Sequence, residues 1–148
     1  MSEHNPIKVF VSHMFEADVD YLRVFEYLES VDRFYYMNVS DPETMPDSGA
    51  EGIKAALRDQ IAQCEAVILL ASLHATHRDW IEFQLNAAKA LNKPVVLMQS
   101  IGQTTMLPGD LATKANEVVA WNERELVDAN NRLARHEDTA RWEVIDFP

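Results

Sequence analysis

The chain has a single cysteine, no hydrophobic run near the ~20 residues that cross a bilayer, and too few basic residues to balance its acidic ones. Each shortage excludes something. One thiol closes no internal disulfide, so a disulfide-framed secreted scaffold is out, and Cys64, on the apolar stripe of an expected helix, reads as a core residue in a reducing compartment. No basic segment followed by an apolar one opens the chain, so no secretory signal is expected and the location is read as cytoplasmic. Thirteen Lys and Arg stand against 24 Asp and Glu, a formal net charge of -11 with no local basic cluster. That charge argues against nucleic acid and against anionic membrane surfaces as partners.

What is present is an ordinary globular composition: 148 residues, 47% hydrophobic and 25% charged, enough for one domain with one core. Short apolar runs rich in β-formers alternate with segments of helical period, the signature of βα units around a parallel sheet. Strands are expected over 7–12, 34–39, 66–71, 94–98 and 118–121. Helices are expected over 17–30, with Leu22, Phe25 and Leu28 on one face, and from a capping box formed by Ser48 and Glu51, with Ile53, Leu57 and Ile61 inward. A third follows Thr76 and Asp79 at the same capping spacing and runs to about residue 91, and the last covers 123–135. The third strand, AVILLA, is apolar on both faces and belongs at the sheet centre.

Right-handed crossovers favour a flavodoxin-like α/β three-layer sandwich, a five-stranded parallel sheet of order 2-1-3-4-5. The domain is expected over 1–136. Residues 137–148 carry Trp142, Val144, Ile145 and Phe147, too apolar for a free tail, and are expected to dock on the domain or on a neighbouring copy. In this order the chain winds away from strands one and three in opposite directions, and ligands bind at that switch point. It gathers Ser12, His13 and Phe15 after the first strand, Asn38 and Ser40 after the second, and Ser72, His77 and Trp80 after the third. The acidic loop 41–47 is a candidate lid.

On a helical wheel at about 100° per residue, Ile81, Leu85 and Ala88 mark the inward stripe of the third long helix. Gln84 lies about 60° from Ile81 and about 40° from Trp80, while Glu82 lies roughly 160° around from Gln84 on the solvated side. Gln84 is therefore a polar group turned inward at the switch point. A buried amide left without partners costs ~1–3 kcal/mol, so it is either a satisfied core glutamine or part of a polar pocket; the switch-point location favours the pocket. Trp80 one turn away suits stacking on a flat ring or a sugar face. His13, His74 and His77 are weaker candidates for a phosphate or carboxylate. No metal is expected, because these histidines do not form a set of three spaced ligands with acidic support. Phe10 and Phe15 read as core more readily than as an adenine platform.

The strand VFVSH, the run YMNVSD, AVILLAS, the segment DWIEFQLNAA and KPVVLM, in that order over residues 7–126, resemble the TIR-like domains of bacterial Thoeris antiphage systems. The resemblance implies an enzyme that cleaves NAD, as substrate and not as redox cofactor, into an ADP-ribose-derived signalling nucleotide. That diffusible nucleotide activates a downstream effector protein, and self-association is a possible accompaniment. It also implies a Trp followed four residues later by a catalytic Glu. Here the Trp position is Trp80 and the Glu position is held by Gln84.

Cleaving the ribose–nicotinamide bond builds positive charge on the sugar, and nicotinamide leaves neutral. One carboxylate suffices, as an electrostatic partner, an orienting group for a ribose hydroxyl, or a nucleophile. Gln84 keeps the size and the hydrogen bonding without the charge. Two origins fit: a naturally inactive member, or a parental glutamate replaced on purpose to hold a ligand without turnover. The intact surroundings favour the second. Two other functions stay open, a nucleoside deoxyribosyltransferase-like enzyme and a non-catalytic TIR-like binding module. A phospho-acceptor receiver is set aside, since Ala71 and Ser72 stand where its aspartate ends the third strand.

Overall fold

The computed structural model describes residues 4–47, 49–99 and 109–135. Five strands, β1 (Ile7–Val11), β2 (Tyr36–Asn38), β3 (Ala66–Leu70), β4 (Val95–Met98) and β5 (Glu117–Val119), form one parallel sheet of order β2-β1-β3-β4-β5. This is the expected α/β architecture and strand order. Val9, Phe10 and Val11 align with Ala66, Val67 and Ile68, so the switch point lies where β1 and β3 end side by side. Every residue of β3 and β4 is buried, as doubly covered strands require.

The helices are α1 (Val19–Glu29), α2 (Gly49–Ala62), α3 (Ala71–Thr76), α4 (Arg78–Ala90), α5 (Gly109–Lys114) and α6 (Glu123–Arg135). The pairs α1 with α6 and α2 with α4 lie in contact, forming the layers that cover the sheet. Asp18 caps α1 by accepting the Tyr21 amide at 2.8 Å. Gly49 enters α2 at φ +69, a left-handed conformation that a side chain would strain. On α2, Ile53, Leu57 and Ile61 point inward as the periodicity requires.

Four local expectations are corrected. The inward face of α1 is Tyr21, Val24 and Leu28, with Leu22 exposed and Phe25 at the edge, because the Tyr21 hydroxyl finds polar partners under the loop after β2. Thr76 and Asp79 form no capping box: Thr76 ends α3, bonding the Leu73 carbonyl, and His77 caps α4 without its side chain. Cys64 sits past the end of α2, buried, its thiol pushed up to about 12 by desolvation. The fifth strand ends at Val119, and the Trp121 indole instead donates to the Gln99 carbonyl at 2.6 Å. Ser48 of the first expected capping box and the extension 137–148 lie outside the described residues. No described helix is long and apolar enough to cross a membrane.

Candidate functional site

The carboxyl ends of β1 and β3 are locked together by Ser12. Its amide donates to the Ile68 carbonyl and its hydroxyl oxygen accepts the Leu70 amide, both at 2.9 Å. Ser12 is completely buried and fixes the floor of the switch point.

His13 is also completely buried, and both ring nitrogens are engaged. Nδ1 accepts the Phe15 amide at 3.0 Å, which places the proton on Nε2, and Nε2 donates to Gln60 Oε1 at 2.8 Å. Burial holds the ring below the usual histidine value, against the raising effects of Gln60 and Asp41. In this arrangement both ring nitrogens of His13 are hydrogen-bonded and the Ser12 hydroxyl oxygen accepts the Leu70 amide. Phe15 takes φ 58°, an unusual conformation for an aromatic residue, and meets the His13 ring edge-on at 4.9 Å.

Gln60 carries this web to the acidic loop, since its Oε1 also accepts the Asp41 amide at 2.9 Å. Beside it, Tyr21, Asn38 and Ser40 close a ring of hydrogen bonds. Asn38 Nδ2 donates to the Tyr21 hydroxyl at 3.0 Å, the Ser40 hydroxyl donates to Asn38 Oδ1, and the Tyr21 and Ser40 hydroxyls are 2.9 Å apart. Asn38 remains exposed at the end of the edge strand, whereas Ser40 is buried. Gln60 and Tyr21 belong to this cluster and sequence reasoning missed both. A polar residue at 60 beside Ile61, on an otherwise apolar helix face, was the available signal.

Gln84 comes from the middle of α4 and is completely buried. Its Nε2 donates to the His13 carbonyl at 2.8 Å and stands 3.7 Å from the Met14 sulfur, while its Oε1 has no hydrogen-bond partner. The wheel placed this side chain correctly. Trp80, one turn earlier, is half-buried and packs edge-on against Phe83 at 6.0 Å, and Arg58 of α2 covers the other ring. Ser72 is half-buried on α3 and His77 exposed at the junction of α3 and α4, one residue before the Gln84 helix.

Glu82 lies on the partly exposed side of α4, as the wheel implied, but its carboxylate is paired. It accepts from Arg78 at 3.0 Å and lies 3.2 Å from the buried His74, and these partners hold its carboxyl below the usual range. They also keep it on the side of α4 away from β1. Among the described residues no cluster of His, Cys, Asp and Glu has the spacing of a metal site.

The site therefore offers one buried acceptor, Gln84 Oε1, on the helix turn after half-buried Trp80 and against a turn that His13 holds. Residues 10–105, more than half of the chain, match the family model described as the TIR-like domain of Thoeris protein ThsB. No curated protein matches the chain. Among solved structures, the Clostridium botulinum CMP N-glycosidase BcmB is similar over 82% of this chain and 95% of its own length, at 19% identity and a TM-score of 0.49.

Proposed function

The chain belongs to the Thoeris ThsB TIR-like family, and from that membership we propose that its switch point binds NAD, with Gln84 in the place of the carboxylate that cleaves it. The observation that carries the reading is the Gln84 side chain: fully buried, at the carboxyl end of β1, with Oε1 unpartnered. An unpartnered buried acceptor costs ~1–3 kcal/mol and calls for a reason, which a ligand hydroxyl supplies. A ribose hydroxyl is such a donor, and the indole of Trp80 gives the flat surface for a ring beside it.

In this proposal Gln84 holds the substrate without turnover, because an amide neither balances the positive charge that grows on the ribose nor attacks it. A glutamate at 84 supplies that charge, nicotinamide departs neutral, and the ADP-ribose product or its conjugate serves as the signal that an effector reads in antiphage defence. No metal takes part in this proposed reaction. The test incubates the protein and its Gln84→Glu variant with NAD, with and without phage infection products, and follows nicotinamide by chromatography. Release by the variant alone supports the proposal. Background release from both, with no NAD binding by calorimetry at millimolar ligand, leaves a binding module, and nucleosides outcompeting NAD point to a deoxyribosyltransferase-like site.

A further inference from the structure

Gln84 is fully buried, so a ligand reaches its Oε1 only after something moves. Both groups against its Nε2, the His13 carbonyl and the Met14 sulfur, come from the turn that follows β1. That turn contains Phe15 at φ 58°, a conformation unfavourable for a residue with a side chain, which persists only where neighbours enforce it. The neighbour is the His13 ring, whose Nδ1 takes the Phe15 amide.

We propose that the turn over residues 13–15 is a latch across Gln84, closed by neutral His13 and opened when the ring takes a proton. Protonation puts a hydrogen on Nδ1, which then faces the Phe15 N–H donor to donor. The bond that enforces the turn is lost, and the His13 carbonyl and Met14 withdraw from the Gln84 amide. The Nε2 contact survives, because Gln60 Oε1 accepts from either form of the ring. The titratable or charged groups bearing on the ring are Asp41 on the loop after β2 and Tyr21 on α1, whose ring meets it edge-on at 6.2 Å. The neighbours from the other elements, Phe10 of β1, Gln60 of α2 and Gln84 through the carbonyl, are neutral.

The sign follows from linkage and rests on the proposed NAD reading for its ligand arm. The closed form keeps the ring below the usual histidine value, so the proton and any ligand of Gln84 select the same open form. NAD affinity then rises as pH falls from the ordinary histidine range toward the lower value of the closed ring and levels off below it, by at most about tenfold per unit for a single proton.

The experiment is an NMR titration of the full chain, following the His13 ring, the Phe15 amide and the Gln84 side-chain amide, repeated in Gln60→Glu. Circular dichroism checks that the fold persists across the range. We expect the Phe15 and Gln84 resonances to titrate with the ring, at a midpoint below that of a free histidine. Gln60→Glu places a carboxylate against Nε2 and moves all three midpoints upward together. Phe15 and Gln84 resonances that stay flat through the ring's titration overturn the latch, as does a ring midpoint that Gln60→Glu shifts without them. NAD affinity measured over the same range is a separate arm. Its absence at every pH overturns the NAD reading, while the amide resonances still decide the latch.

Discussion

The amino ends of the strands are tied by charges and the carboxyl ends by neutral groups. At the amino ends, Arg135 at the close of α6 forms a two-pronged pair with Glu65 and reaches the Pro6 carbonyl at 3.1 Å, while Glu65 accepts the Lys8 amide at 3.1 Å. At the carboxyl ends the web runs through Ser12, His13, Gln60, Tyr21, Asn38 and Ser40, and it leaves Gln84 Oε1 without a partner. The first end is matched donor to acceptor, as a purely structural joint should be. Left-handed residues occur at both ends, Phe15 at the second and Arg33 and Asn92 at the first, so what sets the second apart is its uncompensated acceptor, the kind of local cost that persists where a site has to receive something.

Gln84→Glu tests that difference most severely. Nicotinamide release from NAD should rise at least ~10²-fold, since a well-placed transition-state group is typically worth about 3–4 kcal/mol. A carboxylate also cannot donate to the His13 carbonyl, so the variant should unfold more easily, by about 1–3 kcal/mol in urea denaturation. An equally stable variant would show that the Gln84 bond holds nothing.

Trp80→Ala addresses the same end from its aromatic side. Loss of one stacking surface, worth about 1–3 kcal/mol by analogy with bases on aromatic side chains, should weaken NAD binding roughly tenfold or more in calorimetry. The half-buried indole touches Phe83 at its edge, so the fold should survive, and an unfolded variant would place Trp80 in the core instead.

Arg135→Ala should act on the other end alone. Stripping Glu65 of its main partner should cost about 1–3 kcal/mol of stability at neutral pH and leave NAD affinity unchanged. The arginine hydrogen bond is the main cause of the lowered Glu65 carboxyl, so its stabilisation is present above the unfolded carboxylate value and is lost as pH falls through the lower folded value. Melting curves recorded down that range should converge for the two proteins in acid. A gap that persists in acid would mean that Arg135 acts by packing.

The same contrast explains what was legible in the sequence. Strands buried on both faces announce themselves as apolar runs, so β3, β4 and the sheet order follow from AVILLA, PVVLM and the crossover rule. The inward turn of Gln84 follows from the period of α4 alone. The role of His13 does not, because its partners stand 47 and 71 positions away in sequence, at Gln60 and Gln84. Nor does the inward turn of Tyr21 in place of Leu22, since a wheel ranks leucine above a phenol whose partners it cannot see. The short helix α3 escapes for another reason: six residues carry too little periodicity to separate from a loop.

Glu82→Gln is the smallest change and the control for register. The residue shares α4 with Gln84, yet its carboxylate faces His74 on α3 and Arg78 on its own helix, away from the turn after β1. NAD affinity should stay within about twofold, the scatter of surface substitutions. The carboxyl is held low first by the Arg78 hydrogen bond and then by His74, so its stabilisation is present above the ordinary glutamate value and lost as pH falls through the lower folded one. Removing the charge should therefore flatten the acid limb of the stability profile without touching the ligand. Calorimetry and acid titration of the one variant read the two effects separately. A tenfold loss of affinity would instead put the ligand on the Glu82 face of α4 and remove Gln84 from the site.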